Sequence, residues 1–392
     1  MDFVDEFYVE KDLSILKKLT VVIPTYNRNY YLSRCLWYHS HFPFGEIIVA
    51  DSSLEDKKVV NRETVRKLAE ERGVKIRYLE YPPETERYGG DIVRKWGDAV
   101  QHVETKYSQI CTDKEFLIPL TLCKFISFLE ENVDYDIAAG QRYDMNSSKS
   151  KEIALFEAFS GRSSLDYSDP LARLVAISIS KSDSFNISSL RRSQVLKYTY
   201  DKLFESGIDD LRFGEFGVEL LSVILSKSIY FPRDPHICRD STQLTISFRK
   251  WKRLSSESST LRYPLLDDYV HNGLYADYMD RLSYCLAHEY MSSSCSPILT
   301  FQDAKKLMEI LLIHLQKTRS FFENPHIKIF RLGRLVLTHL PARVSLYIRR
   351  ALNLPEYTRI ADISDEVRII IQTHAKTSDL HKKDRPLPVK IR

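Results

Sequence analysis

LTVVIPTYNR, residues 19–28, is a run of β-branched and apolar residues that stops at Pro24 and gives way to a polar loop. EIIVADSS, residues 46–53, repeats the arrangement, with apolar residues up to Ala50 and then Asp51-Ser52-Ser53. Short unbroken apolar runs predict strands buried on both faces, the kind that belong to parallel sheets. Between them, residues 30–40 have helix length, and residues 55–73 (EDKKVVNRETVRKLAEERG) are amphipathic and close on a glycine suited to a helix C-terminus. Outward from there the pattern predicts a strand over 74–80, a helix over 91–103, a strand over 108–112, a helix over 118–132 and a strand over 135–140. Strict alternation of strand and helix predicts an α/β fold: an open, mainly parallel sheet flanked by helices. Ligands bind outside the carboxyl ends of the strands in such sheets, so the residues just after each strand are the place to look.

At 392 residues the chain is longer than one core usually sustains, and two domains are expected. The polar, Ser-rich stretch 146–189 reads as a variable connection over the site. From residue 190 helices dominate, with a short strand pair over 228–231 and 236–239. This divides the chain into a first domain over 1–245 (halves of about 19–145 and 146–245), a mostly helical C-terminal domain over 246–376, and a polar tail over 377–392 expected to be disordered. A hydrophobic share of 43% with 28% charged residues is that of a globular protein. The formal charge of +4 is too small an excess to imply nucleic acid. Cys35, Cys111, Cys123, Cys238, Cys285 and Cys295 form no C-x-x-C pair and no metal-ligand spacing, which reads as reduced thiols in a cytoplasmic protein. The acidic N-terminus lacks the apolar core of a signal peptide, and no apolar stretch approaches the roughly 20 residues of a membrane-spanning helix.

Three post-strand loops carry the chemistry: Pro24-Thr25-Tyr26-Asn27-Arg28, Asp51-Ser52-Ser53, and Thr112-Asp113-Lys114-Glu115-Phe116. Asp113 and Glu115 are one residue apart, so in an extended segment both carboxylates project to one side and are able to share a hard cation such as Mg²⁺ or Mn²⁺. Taken alone, a D-x-E is more often a solvated acidic turn. Asp51 suits hydrogen bonds to a base or ribose, but taken alone Asp51-Ser52-Ser53 reads first as a cap for the following helix.

Together, V-I-P-T-Y-N-R, I-I-V-A-D-S-S and Y-x-x-x-C-T-D-K-E-F resemble the successive signatures of family 2-type glycosyltransferases, nearest to a bacterial subgroup with a D-D-D-F-like acidic motif. The resemblance covers about residues 19–142 well and 188–241 loosely. It implies a GT-A-like fold and an inverting transfer of sugar from a nucleotide-sugar donor to a glycan or lipid-linked acceptor, in surface polysaccharide synthesis. It implies that Pro24, Thr25, Asn27, Arg28 and Asp51 line the nucleotide pocket, with Arg87 and Asp91 as neighbours, and that Asp113 and Glu115 hold Mn²⁺ or Mg²⁺. The sequence departs from the family's D-x-D in having Glu115 last and Lys114 in the middle, where a cation either supplements the metal or repels it.

The acceptor hydroxyl needs a base. In GIDDLRFGEFGVELL the candidates are Asp209, Asp210 and Glu215, ranked Glu215 first and Asp210 second. Pro235-His236-Ile237-Cys238-Arg239-Asp240 resembles the segment that closes the donor site, offering His236 as a third metal ligand and Arg239 as a diphosphate contact, though a lone His is more often a core residue. Arg191 and Arg192 suit acceptor or phosphate, or the start of a helix. Residues 327–354 carry six Lys or Arg and no acid, a pattern for peripheral contact with the inner face of a membrane or for a basic helical hairpin. Two rivals remain: a nucleotidyltransferase, disfavoured because the PTYNR loop has no glycine, and a non-catalytic nucleotide- or glycan-binding scaffold.

Overall fold

The computed structural model describes residues 3–86, 90–147, 153–158, 163–179, 186–208, 210–240, 274–294, 299–321, 365–367 and 369–370. The basic segment 327–354 and the tail 377–392 lie outside them, as do Arg87, Asp209 and Cys295.

The strands are β1 (Leu19–Thr25), β2 (Glu46–Asp51), β3 (Ile76–Glu80), β4 (Tyr107–Ile110), β5 (Glu115–Leu117), β6 (Tyr135–Ser147), β7 (Ile153–Ala158), β8 (Leu190–Arg192) and β9 (Lys227–Asp240). They form a nine-stranded sheet in the order β3-β2-β1-β4-β8-β6-β9-β5, with β7 on β6. The set β3-β2-β1-β4 is parallel, and β6 and β9 share its direction; β5, β7 and β8 run against it. Every residue of β1 and β2 is buried, as expected of strands covered on both faces. The helices are α1 (Phe3–Tyr8), α2 (Asn29–His39), α3 (Glu55–Arg72), α4 (Gly90–Gln101), α5 (Pro119–Glu131), α6 (Pro170–Ile179), α7 (Ser193–Glu205), α8 (Leu211–Leu225), α9 (Leu274–Ser293) and α10 (Phe301–Phe321).

Alternating residues of β1 divide the core. Val21 and Ile23 face a cluster with Leu32 and Leu36 of α2 and Leu122 and Phe125 of α5, whereas Val22 faces one with Val93 of α4, Leu203 of α7 and Leu220 of α8. Burying each such side chain contributes on the order of 1.5–3 kcal/mol. The second cluster continues through Leu282 and Leu286 of α9 to Met308 and Leu312 of α10, so these helices extend that face. Among the described residues no helix is long and apolar enough to cross a membrane.

Several elements differ from the sequence reading. The expected connection over 146–189 contains β7 and α6. The expected strand pair near 228–239 is one strand, whose register with β6 skips from Phe231 opposite Gly140 to Pro235 opposite Gln141. Pro232 and Pro235 mark this irregularity, where a missing N–H leaves the ladder least disturbed. Gly73 ends α3 at φ 66°, the left-handed C-terminal position expected of it.

Residues 365–367 and 369–370 dock on the α5 side, where Glu366 Oε1 accepts from the Leu120 amide (3.0 Å) and the Tyr8 hydroxyl (3.2 Å). Burial raises the Glu366 carboxyl from 4.5 to about 7, outweighing both hydrogen bonds. Its protonated form is thus the one that folding favours. The stabilisation is complete below pH 4.5 and is lost as pH rises through about 7, a difference of roughly 3 kcal/mol at about 1.4 kcal/mol per pH unit. Unfolding measured from pH 5 to 8 should show wild type losing stability relative to Glu366→Gln, which imitates the protonated state. Parallel curves for the two proteins would contradict this assignment.

Candidate functional site

The order 3-2-1-4 reverses direction between β1 and β4, a topological switch point whose carboxyl-end crevice is the usual binding place in such sheets. Thr25 ends β1 there, and the Thr112–Glu115 turn follows β4. The Thr25 hydroxyl donates to Asp113 Oδ2 (2.8 Å) and Arg28 Nη1 reaches Asp113 Oδ1 (3.3 Å), which fastens the first loop to the third. The second loop is tied in as well: the Asn27 amide donates to Ser53 Oγ (2.8 Å) and the Leu54 amide to Asn27 Oδ1 (2.9 Å). Asn27 holds φ 52°, a left-handed conformation that Asn tolerates better than most side chains. Pro24 lies within β1, opposite Ala50.

Residues 112–115 form a turn, not an extended segment. The Glu115 amide donates to the Thr112 carbonyl (2.8 Å), and Glu115 Oε2 accepts from the Thr112 amide (2.9 Å). The two carboxylates have different partners: Asp113 faces Thr25 and Arg28, while Glu115 folds back on its own turn with Oε1 3.5 Å from Arg142 Nη1. Both acids are 1% exposed, and burial raises the Asp113 carboxyl despite Arg28 and Thr25. Lys114 Nζ lies 4.7 Å over the Tyr31 ring; burial, then Arg28, lowers its ammonium to about 8. Arg239 pairs with Glu115 in the β5–β9 ladder, and its charge also reaches Lys114.

The other predicted residues have the following partners. Asp51 is fully buried, with Oδ1 accepting from the Ser53 amide (2.7 Å) and Oδ2 from Asn61 Nδ2 (2.7 Å) and the Tyr78 hydroxyl. Its carboxylate braces the second loop. His236 is set apart from the acids: it is buried against Phe125, its Nε2 accepts from Gln109 Nε2 (2.9 Å), and its Nδ1 lies 3.4 Å from the Gly140 amide. Asp210 caps α8, its Oδ1 accepting from the Phe213 amide (2.9 Å). Glu215, one turn further along α8, is half-buried and lends negative charge beside Tyr200 of α7. Gly214 lies against Val93 in the first turn of α4, and that close approach sets the start of α8 beside the start of α4. Arg191 is fully buried and donates to Ser222 Oγ (2.6 Å), while Arg192 donates to the Tyr135 carbonyl (3.1 Å), so both brace β8. The Asp91 side chain lies outside the described residues.

Two site residues escaped the sequence reading. Lys95 of α4 is 3% exposed and donates to Ser52 Oγ (2.7 Å) and the Thr25 carbonyl (3.2 Å), joining the first two loops from below. Its signal was a lysine between Val93 and Trp96 on the apolar side of an amphipathic helix. Arg142 gave no signal beyond following the apolar part of β6.

Cys35, His39 and Cys111, far apart in sequence, place their ligand-capable atoms within 4.8 Å of one another behind the turn. The main chain already engages the imidazole, with Nδ1 donating to the Cys35 carbonyl (2.8 Å) and Nε2 accepting from the Leu117 amide (3.3 Å). Both thiols point at the Glu115 carbonyl, at 3.5 and 3.4 Å. In this arrangement the group supports the turn from behind.

No family model and no curated protein matches this chain. Among solved structures it is similar to residues 1–349 of TarS from S. aureus in complex with UDP-GlcNAc, at 12% identity and a TM-score of 0.46 over 76% of this chain and 72% of that one. It is also similar to two further structures of the TarS 1–349 fragment, one of them in complex with UDP (11%, TM-score 0.42) and the other at 11% and a TM-score of 0.43, each over 78% of this chain and 91% of that one.

Proposed function

We propose that this chain is a nucleotide-sugar-dependent glycosyltransferase that moves a sugar, with inversion, to a hydroxyl of a glycan or lipid-linked acceptor. The observation that carries the reading is the junction of Thr25, Arg28 and Asp113 at the β1/β4 switch point. It unites the first and third of the loops whose sequences resemble family 2-type glycosyltransferases, and Lys95 and Asn27 bind the second loop to them. Arg28, half-exposed at the mouth, and Arg239 are suited to the diphosphate of the donor. Glu215 takes the acceptor proton as general base while Asp210 holds the helix that carries it. Configuration inverts because attack and departure occur on opposite faces of the anomeric carbon in one displacement.

The test is a melting panel with UDP, GDP, CDP, dTDP and CMP at millimolar concentration in the presence of Mn²⁺, followed by transfer from the matching nucleotide sugars. One nucleotide should stabilise the protein saturably, and its sugar donors should be turned over. If none of the five stabilises it, the reading fails. Binding without turnover of any donor would favour a non-catalytic nucleotide-binding protein.

A further inference from the structure

We infer that the diphosphate subsite of this chain is built from side-chain cations and works without a divalent metal ion; the inference rests on the donor-site reading above. A metal site needs carboxylate lone pairs that converge on one open point, because Mg²⁺ demands near-octahedral oxygen coordination. Asp113 and Glu115 offer the opposite arrangement. Thr25 donates to one Asp113 oxygen at 2.8 Å and Arg28 approaches the other at 3.3 Å, while the Thr112 amide donates to one Glu115 oxygen at 2.9 Å and Arg142 approaches the other at 3.5 Å. Each oxygen already faces a proton donor, and the two carboxylates have no partner in common. This donor set does not fit Mn²⁺ or Mg²⁺.

The charge around it points the same way. Arg28, Lys114, Arg142 and Arg239 face Asp113, Glu115 and Asp144, four cations to three acids, and the neighbouring Arg34–Asp240 pair is neutral. A divalent cation would add to the positive excess in a nearly buried place, whereas a diphosphate removes it. Two buried polar atoms of the turn and its partner strand, Thr112 Oγ1 and Arg239 Nε, have no hydrogen-bond partner among the described residues. Both are able to donate, so the place is short of acceptors as well as of negative charge, a deficit that an anion in the crevice offsets.

The experiment measures Kd for UDP, GDP, CDP and dTDP and for the matching monophosphates, in EDTA and again in Mn²⁺ and in Mg²⁺. For the base that binds, the diphosphate Kd should change by less than about tenfold between EDTA and either metal, and in EDTA the diphosphate should bind at least about tenfold more tightly than the monophosphate. Arg239→Gln should weaken the diphosphate by about tenfold in EDTA and leave the monophosphate nearly unchanged. Arg28→Gln, at a half-exposed position, should do the same if Arg239→Gln does not fold. Diphosphate binding that is more than about tenfold tighter with metal and is lost in Asp113→Asn overturns the inference while leaving the glycosyltransferase reading intact. So does a diphosphate that binds no better than its monophosphate in EDTA. Absence of binding under all three conditions overturns both.

Discussion

Asp240→Ala is expected to lower folding stability by roughly 3–5 kcal/mol, because it breaks a buried ion pair from one side. Arg34 and Asp240 are each 2% exposed and meet at 3.0 Å between α2 and the end of β9. The guanidinium lies among the rings of Tyr30, Phe116 and Tyr31, at 5.1, 5.6 and 6.0 Å, and its Nε and Nη2 have no hydrogen-bond partner among the described residues. Without Asp240 a nearly dry cation loses its counter-charge. The Asp240 amide also donates to the Lys114 carbonyl (2.8 Å), so the strain arrives at the turn that carries Asp113. Urea unfolding checks the size of the effect. The double variant Arg34→Met/Asp240→Leu should recover most of it, since two apolar side chains in place of the pair leave no buried charge. A loss below about 1 kcal/mol in Asp240→Ala would mean that Arg34 reaches water or another acceptor.

The pair also illustrates what sequence carries and what it does not. Arg34 and Asp240 are 206 residues apart, and nothing in NYYLSRCLWYH marks one arginine for burial. The parallel strands, by contrast, were legible because burial on both faces imposes a local signature, an unbroken β-branched run, as in Val21-Val22-Ile23 and Ile47-Ile48-Val49. Strands of three residues leave no such signature. Glu115–Leu117 and Leu190–Arg192 are strands only because β9 and the β4/β6 gap hold them. In β9 two short strands were expected, where the chain forms one that absorbs Pro232 and Pro235 at a skip in register.

For the site, the loops were legible and the side-chain directions were not. The places where Asp113, Asp51 and Arg28 fall follow from the strand ends, which periodicity locates. Which groups Asp113 and Glu115 meet depends on one turn, and the Thr112–Glu115 bonds give them different partners, which the spacing of an extended strand does not foretell. For Asp51 and His236 the sequence shows none of the tertiary partners, Asn61 and Tyr78 for one and Gln109 for the other, that hold their side chains in place. Lys95 and Arg142 were not singled out from the sequence, because burial of a charge is set by the groups that meet it more than by its neighbours in the chain.

Glu215→Gln is expected to lower kcat by about 10²–10⁴-fold, the usual contribution of a positioned general base, with the donor KM changed by less than about threefold. The substitution keeps size and helix propensity and removes only the ability to take a proton. Asp210 provides the internal control. Its Oδ1 accepts from the Phe213 amide at 2.9 Å and the residue is 4% exposed, so the carboxylate is spent on the first turn of α8. Asparagine caps a helix as well as aspartate does, so Asp210→Asn should leave both stability and kcat nearly unchanged. Asp210→Ala should cost about 1 kcal/mol of stability, the typical loss of a cap. The two positions separate cleanly because an amide preserves the cap and abolishes the base. If Asp210→Asn removes turnover while Glu215→Gln keeps it, the base is Asp210 and the charge of Glu215 serves the α7–α8 packing around Tyr200 instead. If both retain turnover, the acceptor proton leaves by another group and the role given to α8 is wrong.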